Sequence, residues 1–598
     1  MAIIGIDLGT TNSAVAYLKG KAIKVIPNID GSTTTPSVVG LTRKGEILVG
    51  EKAKRRLYQD PKNTIRSIKR HMGTNKLHMF NGKDRTPQEV SSYILAHLKQ
   101  TAEGFLREKV RRAVITHPAY FNEPEIKATR DAAMIAGFDD VTLMNEPTAA
   151  AMAYGVEQDL HEHQTLLVYD LGGGTFDVSV ITIDSGVYEV RGISGDMRLG
   201  GDDLDLRLAQ NLAEDFRKKT GVDLRANSQA MGRLTAAAEE AKIALSTVLN
   251  AEVELPGIVM DASGDPVDLE ASVSRSTFEE LIRPLVQGSL KWVDEALQRA
   301  SLSVSDITKI LLVGGSTKIP LVLNTLERHF GGRVPICKDI SPDLAVAMGA
   351  AVKTALLEEK PDLENVSEAD RPDNVAADVQ VTAHSVGLSL KDNRYDILIP
   401  ANSFYPQELT KTYYTVSEHQ TNLMTMVLEG ENPLADRNRK LGEVNMQLPP
   451  IFPAEAPLDV TFKINSDRIL EVTVVMQERP DLCCYVKIEG TPDSARMSQE
   501  ELDRLRREHE SHDRAQQGQE SERLRLMVEG ELEELRRLAD TNPDLVRGEE
   551  QAQIRQLVLQ VKSMLQGPME PATQQALAEL LTRLNDLRGQ LLARASAS

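Results

Sequence analysis

The stretch Ile-Gly-Ile-Asp-Leu-Gly-Thr-Thr-Asn-Ser, residues 4–13, decides the fold, because a closely similar stretch occurs once more in the chain. Residues 168–175 read Val-Tyr-Asp-Leu-Gly-Gly-Gly-Thr, and the two aspartates, Asp7 and Asp170, are 163 positions apart. In both copies an apolar run ends in aspartate and continues into glycine and threonine. A duplication at this spacing predicts two similar lobes that face each other, rather than a short-period solenoid.

Both copies have the composition of a loop that binds phosphate. Glycine lets the backbone approach phosphate oxygens, threonine hydroxyls add donors, and the aspartate can hold Mg²⁺ directly or through its waters. A third glycine-rich strand end, Leu-Val-Gly-Gly-Ser-Thr at residues 312–317, is expected to face the nucleoside. The sequence has no GxxxxGK[ST] motif, and no GxGxxG follows its first strand. This excludes a P-loop enzyme and a simple dinucleotide site.

The 598 residues exceed what one hydrophobic core can hold, so three or more domains are expected. Residues 1–357 alternate apolar runs with amphipathic stretches, as in an α/β domain. Residues 358–381 contain few large apolar residues and are predicted to form a linker. Residues 382–491 alternate as in an all-β module, and residues 495–598 carry apolar residues at helical spacing. Predicted strands include Ala2–Ile6, Ala14–Leu18, Leu166–Tyr169 and Ile310–Val313.

Charge and cysteine content narrow the classes of partner and site. The net charge of −19, from 69 basic and 88 acidic residues, repels phosphate backbones and anionic lipids. We therefore expect neither nucleic acid nor a membrane as partner. The three cysteines, Cys337, Cys483 and Cys484, lack the CxxC spacing of a zinc site. The first residues contain no basic segment of a signal peptide and no apolar run of spanning length follows, so we predict a cytoplasmic protein.

Six motifs, in order, resemble the seventy-kilodalton heat-shock chaperone family, the DnaK-like proteins: IGIDLGTTNS (4–13), PAYFN (118–122), NEPTAAAMAYG (145–155), YDLGGGTFDVSV (169–180), LGGDDLD (199–205) and LVGGST (312–317). The resemblance implies a multidomain protein with an α/β actin-like ATPase domain, an all-β sandwich domain that binds peptide, and an α-helical lid. It implies an ATP-dependent molecular chaperone that hydrolyses ATP to ADP and phosphate. ATP binding and hydrolysis would control the capture and release of extended apolar segments of unfolded proteins, and so assist folding.

The resemblance also assigns residues to the ATP site. It places Lys69, Glu146, Asp170 and Thr175 in catalysis, and Asp7 and Asp177 at Mg²⁺, with K⁺ as a second cation. The residues that it implies for nucleotide binding are Gly9, Thr10, Thr11, Asn12, Gly172, Gly173, Gly174, Thr175, Gly201, Glu239, Lys242, Ser246, Gly314, Gly315, Ser316, Lys318 and Asp343.

In the β module the resemblance assigns peptide contacts to Leu388, Tyr413, Val416 and Leu423, with Leu423 at the floor of the pocket. The alternative is that these four residues belong to the core of the sandwich. The implied partners are unfolded or extended polypeptide, a J-domain co-chaperone and a nucleotide-exchange factor.

The chain also departs from the family. Val375–Val381 replaces a leucine-rich linker, and Ile243 and Lys318 stand where the family often places arginines around adenine. The linker change predicts looser control of peptide release by ATP. Two alternatives to a chaperone stay open at this point: a sugar or acid kinase that shares the two-lobed fold, and an actin-like scaffold. Peptide-stimulated turnover and ATP-dependent light scattering would separate the three.

Overall fold

The computed structural model describes residues 2–158, 163–261, 263–357, 377–465, 468–488, 497–541, 546, 548–565 and 571–595. The chain divides into two compact units. The first comprises Met1–Glu103 and Glu108–Leu502, and the second comprises Gly104–Arg107 and Asp503–Ser598.

The strands are, in chain order, β1 Ala2–Asp7, β2 Asn12–Lys19, β3 Ala22–Val25, β4 Thr35–Pro36, β5 Val39–Leu41, β6 Ile47–Val49, β7 Thr64–Ile65, β8 His78–Phe80, β9 Lys83–Arg85, β10 Val110–His117, β11 Asp140–Asn145, β12 Gln164–Leu171, β13 Phe176–Asp184, β14 Val187–Asp196, β15 Asn250–Met260, β16 Pro266–Ser274, β17 Lys309–Val313, β18 Ala377–Val381, β19 Val386–Leu390, β20 Arg394–Ile399, β21 Phe404–Tyr405, β22 Gln407–Tyr414, β23 Asn422–Glu429, β24 Arg439–Gln447, β25 Pro457–Ile464, β26 Leu470–Met476 and β27 Arg479–Ile488.

The helices are α1 Glu51–Lys54, α2 Arg56–Gln59, α3 Pro87–Leu106, α4 Glu123–Ile135, α5 Glu146–Glu157, α6 Gly201–Thr220, α7 Ser228–Leu245, α8 Arg275–Gly288, α9 Leu290–Arg299, α10 Pro320–His329, α11 Ala345–Lys353, α12 Gln499–Thr541, α13 Gly548–Leu565 and α14 Pro571–Ala595.

Two mixed six-stranded sheets carry the duplicated sequence. In the first, of order β11-β10-β1-β2-β3 with β4 on β2, strand β1 pairs parallel with β10 and antiparallel with β2. In the second, of order β17-β12-β13-β14-β18-β21, strand β12 pairs parallel with β17 and antiparallel with β13. Asp7 and Asp170 therefore have equivalent positions at the ends of β1 and β12. We call residues 2–158 the first lobe and residues 163–344 the second lobe, and helix α11 packs mainly against β1, β2 and α5 of the first lobe.

The β module, residues 382–488, contains two antiparallel four-stranded sheets of order β20-β19-β23-β24 and β22-β25-β26-β27. Period-two alternation turns one face of each strand inward. Leu388 and Val427 of the first sheet share a core with Val460, Phe462 and Val472 of the second. This single core between two sheets explains the alternating pattern of the sequence.

The segment predicted as a linker is only partly visible. Residues 358–376 lie outside the described residues, and the remaining five form β18, which we call the linker strand. It pairs parallel with β14 through Val187↔Ala377, Tyr188↔Asp378 and Glu189↔Val379. On its other side it pairs antiparallel with β21 through Gln380↔Tyr405 and Val381↔Phe404. The linker strand thus joins the sheet of the second lobe to the β module.

The second unit consists largely of helices α12, α13 and α14. These helices share an apolar core that includes Val528, Leu535, Val561, Leu577 and Leu584. None of the described helices combines the length and the apolar composition that crossing a membrane requires.

Candidate active site

A cleft of about 570 Å³ opens where β1 and β12 end. Most of the predicted nucleotide residues line it, together with all four residues predicted to act in catalysis. The lining residues are Asp7, Gly9, Thr10, Thr11, Asn12, Lys69, Glu146, Asp170, Gly172, Gly173, Thr175, Val313, Gly314, Gly315, Pro342, Asp343 and Val346.

The two glycine-rich loops touch each other across this cleft. A Cβ atom built on Gly173 would lie 1.7 Å from Oγ1 of Thr11, and one on Gly174 would lie 2.5 Å from Cγ2 of Thr10. Any side chain at these positions would push the loops apart, so the contact requires glycine. The duplicated loops therefore form one continuous wall, and a phosphate chain can lie against it.

Lys69 and Glu146 form a buried ion pair in the wall of the cleft. Their Nζ and Oε1 atoms are 2.5 Å apart, and the residues are 4% and 7% exposed. Lys69 lies in a short 3-10 turn that follows Ser67, whose φ of 53° starts the turn in the left-handed region. Glu146 is the first residue of α5 and directly follows β11. Because both side chains are confined, the ammonium group is held at a fixed point beside the phosphate loops.

Three aspartates face this pair and repel one another. Burial raises the pKa of Asp7 to about 7, and the neighbouring Glu146 adds to the rise. Burial and then Glu146 raise the pKa of Asp177 to about 8. The pKa of Asp170 lies well above its usual value for the same two reasons. A cation in the cleft would relieve this repulsion.

The donor set suits Mg²⁺. Oδ1 of Asp177 accepts a hydrogen bond of 3.1 Å from the backbone N–H of Tyr120, whereas Oδ2 is buried and has no partner among the described residues. In the described part of the chain, no three His, Cys, Asp or Glu side chains are arranged to enclose a metal ion. Mg²⁺ keeps several waters and takes oxygen ligands from phosphates, so it does not need a protein cage.

The residues predicted around the nucleoside lie on α6, α7 and the third glycine-rich strand end. Nζ of Lys242 is 2.7 Å from Oδ1 of Asp205 and donates to the carbonyl of Gly201 at 3.3 Å. Oγ of Ser316 donates to the carbonyl of Gly172 at 3.1 Å. This set is therefore connected to the second loop through hydrogen bonds.

Lys318 and Ser246 are not among the residues that line the cleft. Lys318 forms an ion pair with Asp343, which does line it. Oγ of Ser246, the residue after α7, donates to the carbonyl of Lys242 at 3.3 Å. Ile243, one residue after Lys242, is 56% exposed and presents an aliphatic surface where the family often has arginine.

The four predicted peptide residues differ in exposure. Leu388 is 2% exposed and lies inside the core of the β module, while Tyr413 and Leu423 are partly buried against that core. Oη of Tyr413 donates to Oδ2 of Asp396 at 2.5 Å. Val416 is 62% exposed. The structure thus brings three of the four to one core, and their contact with peptide stays a prediction.

Sequence comparisons agree with this arrangement. A family model described as Hsp70 protein matches residues 3–80 and 76–593. The chain belongs to the Hsp70 family. The Chaperone protein DnaK of Thermotoga neapolitana and that of Thermotoga maritima are each 45% identical to it over 473 residues, which cover 79% of this chain and 78% of the relative. For the Chaperone protein DnaK of Thermosipho africanus the identity is 45% over 473 residues, with coverage of 79% and 77%.

Membership decides between the three alternatives. This Hsp70 protein is an ATP-dependent molecular chaperone and an ATPase, with an ATPase domain and a substrate-binding domain. The kinase and scaffold alternatives are not favoured.

Some residues of the Hsp70 site were not predicted. Arg66 of the first lobe forms ion pairs with Asp202, Asp205 and Glu239 of the second, at 3.1, 3.8 and 3.0 Å. Oγ1 of Thr116 donates to Oδ1 of Asp7 at 3.4 Å. The two aspartates lie in the LGGDDLD motif, which was a usable signal. Arg66 and Thr116 carry no signal that a single sequence reveals, because their partners are more than 100 residues away.

Proposed function

We propose that the cleft binds ATP with Mg²⁺ and that Lys69 and Glu146 carry the hydrolysis step. The observation that supports this most directly is the buried ion pair between these residues, set in a wall where two glycine-rich loops touch. Phosphoryl transfer demands little covalent chemistry from a protein. It requires fixed positive charge near the transferred group and a positioned water.

The proposal assigns a role to the two loops, to the ion pair and to the three aspartates. Backbone N–H groups of Gly9–Asn12 and Gly172–Thr175 hold the phosphates, and threonine hydroxyls add donors. Lys69 stabilises the charge that develops in the transition state, and Glu146 keeps its ammonium group in place. Asp7, Asp170 and Asp177 would hold Mg²⁺. When bound, Mg²⁺ neutralises charge on the phosphate oxygens.

We further propose the domain layout that the sequence predicts. Residues 1–357 form an actin-like ATPase domain, residues 358–381 the linker, residues 382–491 the peptide-binding sandwich and residues 495–598 a helical lid. The equivalent positions of β1 and β12 support the first assignment, and the shared core of two four-stranded sheets supports the third. An extended peptide would bind by its backbone, with one apolar side chain near Leu423.

The expected partners follow from the same proposal. They are unfolded polypeptide, a J-domain co-chaperone and a nucleotide-exchange factor. K⁺ as a second cation and a cytoplasmic location stay predictions.

One experiment tests the proposal as a whole. A fluorescent apolar peptide is bound to the full chain, and its dissociation rate is measured after mixing with ATP and with ADP. We expect faster dissociation with ATP, and faster ATP turnover when peptide is present. Turnover that sugars stimulate and peptide does not, or ATP-dependent light scattering without peptide binding, would contradict the proposal.

A further inference from the structure

The linker strand lacks the leucine-rich sequence expected of the family, yet it pairs with both β14 and β21. Three residue pairs connect it to β14 and two connect it to β21. Backbone hydrogen bonds of this kind are the same in every register, so they cannot by themselves fix where a strand sits. In a leucine-rich linker, apolar side chains would supply that information. Here the side chains at positions 378 and 380 are polar.

Asp378 is held by a cation at the end of helix α11. It forms an ion pair with Lys353, the last residue of α11, and the two side chains are 11% and 18% exposed. The other carboxylate oxygen of Asp378 accepts a hydrogen bond of 3.1 Å from Nε2 of Gln380. A slip of the strand by two residues would preserve its buried face but would separate Asp378 from Lys353. The ion pair therefore selects the register.

Gln380 extends this contact toward the active site. Its Oε1 accepts a hydrogen bond of 2.7 Å from Nδ2 of Asn145, and its Nε2 donates to Oγ1 of Thr148 at 3.2 Å. Asn145 directly precedes Glu146, the partner of Lys69. The position of the linker strand is thus connected, through two residues, to the buried pair in the cleft.

Helix α11 provides a second connection. It begins two residues after Asp343 and contains Val346, and both residues line the cleft. Lys353 lies at the opposite end of the same helix. A nucleotide in the cleft therefore contacts the element that presents Lys353 to the linker strand.

We propose that the Asp378–Lys353 ion pair positions the linker strand and so replaces the apolar side chains by which a leucine-rich linker would dock. This inference rests on the proposed function, since it concerns how ATP controls the β module. Asp378 and Lys353 are positioning residues in this scheme. Removal of one partner leaves an uncompensated charge in a site that is mostly buried, whereas a change of both partners together does not.

The test uses four variants of the full chain: the single reversals Asp378→Lys and Lys353→Asp, their combination, and the apolar pair Asp378→Leu with Lys353→Met. The quantity measured is the ratio of peptide dissociation rates with ATP and with ADP. We expect each single reversal to reduce this ratio about tenfold, and both double variants to return it to within about threefold of the wild type. Peptide affinity in ADP should stay unchanged in all four, which separates positioning from damage to the β module.

Lys218 and Asp215 supply a matched control, because they form an exposed ion pair of the same residue types on α6. Their reversal, singly or together, should leave the ratio unchanged. Single reversals that match the wild type, or double variants that lose as much as the two single changes combined, would overturn the inference. If the double variant with both charges reversed does not fold, the apolar double variant is compared with Lys353→Met alone, and this comparison tests the same ion pair. If the wild type itself shows no acceleration by ATP, the proposed function fails instead.

Discussion

Nη2 of Arg66 lies 3.0 Å from Oε2 of Glu239 and 3.1 Å from Oδ1 of Asp202, so one guanidinium group connects the two lobes beside the phosphate loops. The Arg66 side chain is 22% exposed and that of Glu239 only 5%. We expect nucleotide to leave this cleft when the two lobes separate, and separation would break these pairs.

Arg66→Ala should therefore accelerate nucleotide release. A partly buried ion pair with several carboxylates contributes on the order of 1–2 kcal/mol, so we expect roughly a tenfold faster dissociation. Stopped-flow displacement of a fluorescent ADP measures this rate. Arg55→Ala is the matched control, because the pair of Arg55 with Glu51 is exposed and lies within one helical turn. Equal rates for Arg66→Ala and wild type would show that other contacts limit release.

Lys69→Ala should remove hydrolysis and preserve binding, because the lysine stabilises charge that develops only in the transition state. Loss of one such donor typically lowers turnover by about 100- to 1,000-fold. Phosphate release gives the turnover, and a fluorescence titration gives the ATP affinity. Lys62→Ala, an exposed change in the same segment, should leave both unchanged. If Lys69→Ala still hydrolyses ATP within a few fold of wild type, the catalytic assignment is wrong.

Asp177→Asn should raise the Mg²⁺ concentration that half-saturates turnover, since it removes the negative charge that Asp177 would carry when Mg²⁺ is bound. The Oδ2 atom of Asp177 has no partner among the described residues and is the oxygen available to a hydrated ion. We expect a shift of roughly tenfold in a steady-state Mg²⁺ titration. Asp184→Asn, at the exposed end of the same strand, provides the control. An unchanged half-saturation point and an unchanged maximal rate would exclude Asp177 from the site.

Leu423→Phe should lower peptide affinity by about tenfold, because the extra volume fills a small pocket. Leu423→Ala should enlarge the pocket and favour larger anchor side chains. Fluorescence anisotropy with labelled apolar peptides measures both effects. Met424→Ala changes the next residue on β23, which is 65% exposed, and should have no effect. Equal affinities in wild type and both Leu423 variants would assign this residue to the core alone.

We predict that Glu123 makes docking of the β module pH-dependent. Burial raises the pKa of Glu123 to about 7, although Arg468 of the β module opposes the rise. Glu429 of the β module raises this pKa further, and Arg130 and Lys127 of α4 lower it. We expect undocking of the β module to expose Glu123 and to return its pKa toward the usual value, so that the docked form binds the proton more tightly. Docking is therefore favoured as pH falls through about 7 and weakened as pH rises.

From pH 8 to pH 6 the docking equilibrium of the ATP form should shift about tenfold toward the docked state. Hydrogen exchange of the amides in the linker strand reports this equilibrium. Glu123→Gln should flatten the profile. A profile as steep as that of wild type would assign the effect to another group.

The strands that frame the cleft could be predicted from the sequence, because each is a short apolar run that ends in a recognisable motif. Predicted Ala2–Ile6 corresponds to β1 and predicted Ile310–Val313 to β17, each within one residue at either end. The two glycine-rich loops could be predicted from the duplicated motif. The roles of Lys69 and Glu146 came from family resemblance alone.

The linker strand could not be predicted, since its stability comes from backbone pairing with β14 and from two polar side chains. The alternation that predicts a strand reflects burial of one face, and Ala377–Val381 has only Val381 fully buried. Contacts such as that of Arg66 with Asp202 could not be predicted from the sequence either, because they join positions 136 residues apart.

Docking of the linker strand also provides hydrogen-bond partners for backbone groups of β14. When the linker strand leaves, Val187–Glu189 of β14 become the border of the sheet in the second lobe, and water or another extended chain must satisfy their N–H and C=O groups. An exposed strand edge of this kind can pair with another extended chain that lies alongside it. The part of β14 that the linker strand leaves exposed is three residues long. Natural proteins limit edge-to-edge aggregation by keeping exposed strand edges short.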